Sequence, residues 1–150
     1  MADGKIDYTA LEEALGKDLY KAIEQALTAT ASNGIAMMRM RIEKGVGSSG
    51  ESMPAYTPRY RKRRKDIGRP PDKRDLFVSG QMLGGIHLES VETKGADIVA
   101  TLGIAGARNR VLAVRHEQTA PWFDFTPTEK ATLTNMLRDQ LDKAIEADHG

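Results

Sequence analysis

Residues 86–104, with the sequence IHLESVETKGADIVATLGI, decide the fold because apolar and polar side chains alternate along them. Alternation places every second side chain on the same face of an extended chain, which is the pattern of a half-buried strand. It is clearest in 97–104 and recurs in 86–92, and the residues between them, 93–96, have the turn-like sequence TKGA. The stretch therefore predicts an antiparallel β-hairpin.

A C-terminal helix is predicted from its start signal. Thr126 is a favoured N-cap residue, Pro127 suits the first helical position, and Glu129 lies three residues after the cap. The apolar stripe of this helix consists of Leu133, Met136, Leu137, Leu141, Ala144 and Ile145. We expect the stripe to pack on the apolar face of the hairpin.

The N-terminal part of the chain predicts one long helix. Residues 9–12, TALE, form a capping box, and apolar residues recur at three- and four-residue spacing as far as Ile42. A helix over 10–44 that stops at Gly45 would be about 50 Å long, more than a compact domain of this size needs. Its weak point is 32–34, SNG, where low helix propensity would bend or split it.

Together these elements predict an α+β fold, in which a long N-terminal helix and a C-terminal helix pack on a small antiparallel β-sheet. Ser79 is expected to cap a short helical turn at 81–83, and 111–118 to form one or two helical turns. Residues 121–125, PWFDF, are expected to form a short third strand whose aromatic side chains lie in the core or at an interface. The candidate interface residues are Leu76, Phe77, Trp122 and Phe123.

Length and composition predict a single domain over 1–150. The chain has 40% hydrophobic and 29% charged residues and no cysteine, which excludes disulfides and thiolate chemistry and favours a reducing compartment. No apolar run approaches the ~20 residues of a membrane span, and residues 1–5, MADGK, do not resemble the start of a signal peptide. The sequence therefore predicts no membrane contact.

No catalytic, cofactor or metal site is predicted. Gly45 to Gly50 has the glycine spacing of a phosphate-binding loop, but Glu51 stands where that loop needs lysine. Ser79 lacks the glycine two residues before it that a nucleophile elbow has. The histidines His87, His116 and His149 are too dispersed to form a ligand set. The sequence therefore predicts a protein that is not an enzyme.

Residues 45–75 are predicted to be an extended basic loop or arm, since glycine, serine and proline replace the helical period. Between Arg59 and Arg74 nine basic residues accompany two acidic ones, a local charge of +7 against −6 for the rest of the chain. The candidate contact residues are Arg59, Arg61, Lys62, Arg63, Arg64 and Lys65. Self-repulsion predicts that the segment is mobile until it meets negative charge.

Two interpretations of this basic segment stay open. Arginine and lysine at this density neutralise phosphates without selecting a base, and Tyr56 and Tyr60 could stack on bases. The same segment could equally be a solvated charged loop without a partner.

Several short motifs accompany the long first helix: MPAYTPRY at 53–60, DLFVSGQMLGGI at 75–86 leading into the hairpin, and HEQ at 116–118 followed by PWF at 121–123 before a threonine-capped last helix. In this order the chain resembles the virion morphogenesis, or tail-completion, family of long-tailed bacteriophages. The resemblance implies an α+β fold and a closed ring of copies, six-fold in symmetry. It also implies a place at the virion neck, between the portal and the tail tube.

In that role the protein would be a non-enzymatic tail terminator or tail-completion protein that joins head and tail. It would assemble in the host cytoplasm, lie beside connector and tail-tube proteins, and contact packaged DNA transiently. The alternative is a sequence-independent nucleic-acid-binding module that uses Arg59–Lys65. A ring protein should be multimeric with or without DNA, whereas a binding module should be small and should retain DNA with a steep salt dependence.

Overall fold

A computed structural model describes the backbone of residues 9–76, 80–95 and 97–149, and the side chains of 20–76, 80–95, 97–144 and 146. The elements in chain order are α1 (Thr9–Glu43), α2 (Pro58–Asp66), α3 (Gln81–Gly84), β1 (Ile86–Lys94), β2 (Asp97–Ile104), α4 (Ala107–Thr119) and α5 (Pro127–His149). Strands β1 and β2 form a two-stranded antiparallel sheet. The predicted α+β fold with long first and last helices is therefore confirmed. None of the described helices is both long and apolar enough to cross a membrane.

Contacts within the chain divide it into two compact units. Unit 1 comprises 1–34, 87–103 and 130–150, and unit 2 comprises 35–86 and 104–129. The boundary within α1 falls directly after the SNG sequence, where the helix continues without a break. The weak point therefore does not split the helix. That the chain is one domain stays a prediction.

Unit 1 has an apolar core. Ile23 of α1 and Ile98 of β2 are buried together. The partly buried residues that pack against them are Tyr20, Ala22, Leu27, Val91, Leu141 and Ala144. Leu133 and Leu137 of α5 are also buried. The α5 stripe thus shares a core with the hairpin as expected, but α1 contributes to that core as well.

The start of β1 follows the predicted alternation, and β2 follows it only towards its two ends. Ile98 and Ile104 are buried, while His87 and Glu89 on β1 are exposed. Strand β1 continues two residues beyond the predicted end, to Lys94. The alternation therefore identified the strands, but it did not identify a buried face along the middle of β2, where residues 99–103 are all half-buried.

Two helix ends in unit 2, the C-terminal end of α1 and the N-terminal end of α5, each have a local cap. At the end of α1, Val46 N–H donates to the Arg41 carbonyl (3.2 Å) and Gly45 N–H to the Ile42 carbonyl (2.8 Å), with Gly45 at φ 75°. This is a Schellman motif, in which glycine takes the left-handed conformation at low cost. Gly45 therefore ends α1 as predicted. The side chains of the capping box at 9–12 lie outside the described residues.

The start of α5 forms the predicted capping box. Thr126 N–H donates to Glu129 Oε1 (2.9 Å), and Glu129 N–H donates to Thr126 Oγ1 (3.1 Å). Two backbone donors of the first turn are thereby satisfied. The sequence signal for this helix is confirmed in atomic detail.

Two expectations between β2 and α5 are corrected. Residues 121–125 are not a strand, because Trp122 N–H and Phe123 N–H both donate to Glu117 Oε2, at 2.8 and 3.0 Å, instead of pairing with a neighbouring chain. Helix α4 is longer than the one or two turns expected and begins at Ala107. The turn expected at 81–83 is present as α3, and its expected cap, Ser79, lies outside the described residues.

Candidate functional site

The basic segment folds as helix α2, so the expectation of an extended loop is wrong for its central nine residues. Thr57 Oγ1 accepts a hydrogen bond from Tyr60 N–H (3.4 Å), and Pro58 occupies the first turn. Basic side chains in the last turn lie where the helix dipole favours them. Local capping thus favours a helix that a run of like charges alone would not predict.

Arg64 of this helix is an internal anchor. Its side chain is 0% exposed, and its Nη2 lies 2.6 Å from Asp75 Oδ1. Its Nε donates to the Pro70 carbonyl (2.8 Å). A buried charge is stable only when it is paired and hydrogen-bonded. Arg64 is therefore not available to a partner, which corrects its assignment as a contact residue.

Tyr56 is enclosed by the same contacts. The guanidinium carbons of Arg64 and Arg74 each lie 4.7 Å from the centre of its ring, and the Tyr60 ring meets it edge-on at 4.8 Å. Its hydroxyl accepts a hydrogen bond from Leu76 N–H (3.1 Å). Burial raises the pKa of Tyr56 and outweighs the opposing effect of the Arg64 charge. Tyr56 is thus a neutral core residue and is not free to stack on a base.

These contacts hold α2 against the chain on either side of it. Arg74 Nε donates to the Pro54 carbonyl (2.6 Å), before the helix, and Asp75 lies after it. Arg69 Nη2 is also within 3.7 Å of Asp75 Oδ2. The negative charge that orders the segment therefore comes from its own chain. The expectation of mobility until a partner binds is corrected accordingly.

Five basic side chains remain exposed on α2, namely Arg59, Arg61, Lys62, Arg63 and Lys65. Arg61 Nη2 lies 2.5 Å from Asp72 Oδ1, an exposed pair of the kind worth about 0–1 kcal/mol. Within the described chain, no acidic group pairs with the other four. We call these four, Arg59, Lys62, Arg63 and Lys65, the α2 cations.

The spacing of the α2 cations determines what they can contact. Lys62 and Arg63 lie three and four residues after Arg59, so both share a face of the helix with it. Arginine can bind a phosphate or carboxylate through two parallel hydrogen bonds, and lysine adds a mobile point charge. The arrangement suits a row of anionic groups and contains nothing that would read a base sequence.

The candidate interface residues occupy a different environment. Leu76 is buried, at φ 55°, and Trp122 is 0% exposed with its Nε1 donating to the Ala113 carbonyl (3.3 Å). Phe123 is half-buried against Trp122, with 5.3 Å between ring centres. Phe77 lies outside the described residues. Leu76 and Trp122 therefore belong to the core of unit 2, which corrects their assignment to an interface.

A second buried ion pair was not anticipated from the sequence. Arg41 Nε lies 2.9 Å from Glu129 Oε1, and Arg41 Nη2 donates to the carbonyls of Trp122 (3.2 Å) and Asp124 (2.5 Å). The capping box marked Glu129 as the start of α5. Nothing in the sequence near Arg41 indicated its partner, 88 residues away.

The histidines lie apart from one another. His87 is exposed on β1, and the side chain of His149 lies outside the described residues. His116 is half-buried in α4, where burial, and secondarily the positive charge of Arg74, lower its pKa. The described residues contain no group of three or more histidines and carboxylates that could hold a metal ion.

Comparison with protein-family models, with curated proteins and with solved structures finds no match to this chain. The α2 cations, the fold and the short motifs that carry the resemblance are therefore the features of the chain that bear on its function.

Proposed function

We propose that this protein is a non-enzymatic structural protein of the virion neck, a tail terminator or tail-completion protein that forms a ring joining head and tail. In this proposal the α2 cations contact a polyanion, which is either DNA phosphate or an acidic surface of the adjoining ring. The single observation that carries the proposal is the anchored display of four cations on one short helix, fixed from inside by the Arg64–Asp75 pair.

Anchoring matters because a partner need not order the helix on binding. A flexible basic loop would lose conformational freedom on contact, and that loss would weaken the complex. Here the Arg64 guanidinium and the Tyr56 ring already hold the helix backbone. Only the long side chains of the α2 cations would lose freedom, so most of the electrostatic attraction is retained as binding free energy.

The proposed ring has support from the element order and from the length of α1. A first helix of 35 residues, a central basic element, a hairpin and a capped last helix follow the order that the tail-completion resemblance implies. A helix of about 50 Å offers a surface along which copies can pack side by side. The neighbours proposed for such a ring are connector and tail-tube proteins of the same neck.

A second candidate, a sequence-independent nucleic-acid-binding module, is favoured by the same four cations. It needs phosphate contacts and no ring. It predicts a monomer or dimer that retains duplexes of unrelated sequence equally, with an affinity that falls steeply as salt rises.

Light scattering of the purified protein, with and without duplex DNA, separates the two candidates. The neck protein should have the mass of a closed multimer in both conditions. A monomer or dimer that retains DNA in a salt-dependent way would replace the first candidate by the second. A monomer that binds neither DNA nor an acidic polypeptide would contradict both.

A matched pair of variants tests the role of the α2 cations directly. The test variant carries Arg59→Ser, Lys62→Ser, Arg63→Ser and Lys65→Ser, and the control carries Lys21→Ser, Lys44→Ser, Lys94→Ser and Arg138→Ser. All eight positions are exposed, and the two variants lose the same charge. In particles, only the test variant should leave heads and tails unjoined. If the test variant gave joined particles at normal yield, α2 would be only a solvated charged helix without a partner.

A further inference from the structure

The exposed surface of α2 is almost entirely charged. Tyr60 is half-buried and Arg64 is buried, so these two residues form the inner side of the helix. Apart from Pro58 in the first turn, all the exposed residues of α2 are charged, namely Arg59, Arg61, Lys62, Arg63, Lys65 and Asp66. The outward surface of the helix is therefore cationic except for one carboxylate.

The cations form two rows, one on each flank of the helix. Tyr60 and Arg64 are four residues apart and share the inner side. The residues next to them in sequence have the same spacing, Arg59 with Arg63 and Arg61 with Lys65. We call these pairs the 59/63 row and the 61/65 row. At 3.6 residues per turn the two rows lie about 160° apart across the outer side of the helix, with Lys62 between them.

This arrangement matches the dimensions of a DNA groove. A helix with its side chains is about 10–12 Å across, and the major groove of B-form DNA is about 12 Å wide and admits one helix. A helix in that groove has a row of phosphates along each of its two flanks and base edges in front. The 59/63 row and the 61/65 row would each meet one wall, and Lys62 would face the base edges as a point charge on a flexible stem.

Two acidic residues lie near the rows. Asp72 Oδ1 lies 2.5 Å from Arg61 Nη2. A guanidinium has five N–H donors, so Arg61 keeps donors for a phosphate while this pair persists. Asp66, the last residue of α2, would repel phosphate. The Asp66→Ser variant should therefore bind DNA more tightly than wild type.

Other polyanions fit α2 less well. The centre of a protein–protein interface is usually apolar and poor in lysine, but the first exposed apolar side chain after Pro58 is Ile67, beyond the end of the helix. Single-stranded DNA is bound largely by stacking on aromatic rings, and here Tyr60 packs edge-on against the buried Tyr56. A duplex needs neither an apolar centre nor an exposed ring.

We propose that α2 lies in the major groove of duplex DNA, where the 59/63 row contacts the phosphates of one strand and the 61/65 row those of the other. This contact specifies the polyanion of the proposed function and rests on α2 meeting one, but it does not require ring closure. Because phosphates carry no sequence information directly, duplexes of unrelated sequence should bind alike.

Dimethyl sulfate footprinting of the wild-type protein on a short DNA duplex distinguishes the grooves, because guanine N7 lies in the major groove and adenine N3 in the minor groove. The bound protein should protect guanine N7 and leave adenine N3 reactive. Duplex RNA of the same sequence should bind more weakly, since its major groove is deep and narrow. A bound complex that leaves guanine N7 reactive, or equal affinity for the two duplexes, would overturn the proposal.

Two double variants test the rows separately. One carries Arg59→Ser and Arg63→Ser, the other carries Arg61→Ser and Lys65→Ser, and the control, Lys21→Ser with Lys94→Ser, loses the same charge at exposed positions. Each row variant should reduce the slope of log affinity against log salt by about 1.8, because two phosphate contacts of about 0.9 each are lost. The control should keep the wild-type slope. If only one row variant changed the slope, DNA would lie against a single flank and the groove contact would be wrong.

The outcomes separate the groove contact from the proposed function. Retention of the wild type on polyglutamate but not on duplex DNA would overturn the groove contact and leave the neck ring with an acidic protein partner. A monomer mass with the expected footprint would contradict the ring and leave the groove contact intact. Failure to bind duplex DNA and polyglutamate alike would overturn both the groove contact and the role of the α2 cations.

Discussion

The two units of this chain are stabilised in different ways. In the described part of unit 1 the core is apolar, built around Ile23 and Ile98. In unit 2 the core also encloses charge, with Arg41 paired to Glu129 and Arg64 paired to Asp75. Buried ion pairs demand specific geometry, because a charge that loses its partner is left unsolvated. The folding of unit 2, which carries the α2 cations, thus depends on these two specific ion pairs.

The largest effect should follow from breaking the pair inside α2. Arg64→Met removes the guanidinium that lies 2.6 Å from the buried Asp75 carboxylate, and should lower the free energy of unfolding by about 3–5 kcal/mol. The matched control is Arg63→Met on the exposed side of the same helix, which should change it by less than about 0.5 kcal/mol. Urea denaturation measures both.

A double variant sharpens that test. Arg64→Met combined with Asp75→Leu removes both charges, so it should be less destabilised than Arg64→Met alone. Equal stability of wild type and Arg64→Met would show that the pair does not anchor α2.

Unit 1 should respond to loss of volume instead of loss of charge. Leu137→Ala removes a buried side chain from α5 and should cost about 2–5 kcal/mol. Arg138→Ala, at the exposed neighbouring position, is the control and should have little effect on the melting temperature. If Leu137→Ala melted like wild type, α5 would not be packed through this side chain.

The stability of unit 2 should depend on pH through His116. Burial and the Arg74 charge lower the pKa of His116 in the folded protein, so the unfolded chain binds its proton more readily. Stability should therefore be lost as pH falls below the unfolded value of about 6.5. His116→Gln should flatten the dependence of the melting temperature between about pH 7.5 and 5.5, whereas His87→Gln, on the exposed side of β1, should preserve it. An unchanged slope in His116→Gln would contradict this account.

The smallest effect on stability should come from the α2 cations themselves. Replacing all four by Ser removes exposed charges that have no acidic partner in the described chain, so the melting temperature should change little. A large fall would mean that these side chains stabilise the fold, and their assignment as a contact surface would lose its basis.

Sequence reasoning succeeded where local chemistry dominates. The alternation in 97–104 identified a strand, and Thr126 with Glu129 identified the start of α5, because a period and a cap depend only on neighbouring residues. It failed for α2, which has no apolar period and whose anchor, Arg64, looks the same in sequence as the exposed Arg63. Arg64 is buried where it pairs with Asp75, 11 residues further on, whereas Arg63 is exposed.

The same limit applies to the rest of the site. Five of the six basic residues named from the sequence are exposed, since charge runs usually remain at the surface, but the sixth, Arg64, is buried. Which of them are free was not predictable, because Arg61 is paired with Asp72 by the path of the chain after the helix. The Arg41–Glu129 pair joins residues that only the folded chain brings together.

The most direct test of the account compares the α2 variant, the charge-matched control and the wild type on two immobilised polyanions, duplex DNA and polyglutamate. We expect wild type and control to be retained on at least one of them at low salt, and the α2 variant to elute at lower salt. On DNA the slope of log affinity against log salt should fall by about 0.9 for each lost phosphate contact. Elution of all three proteins at the same salt concentration would contradict the central claim that α2 is an anchored contact surface for a polyanion.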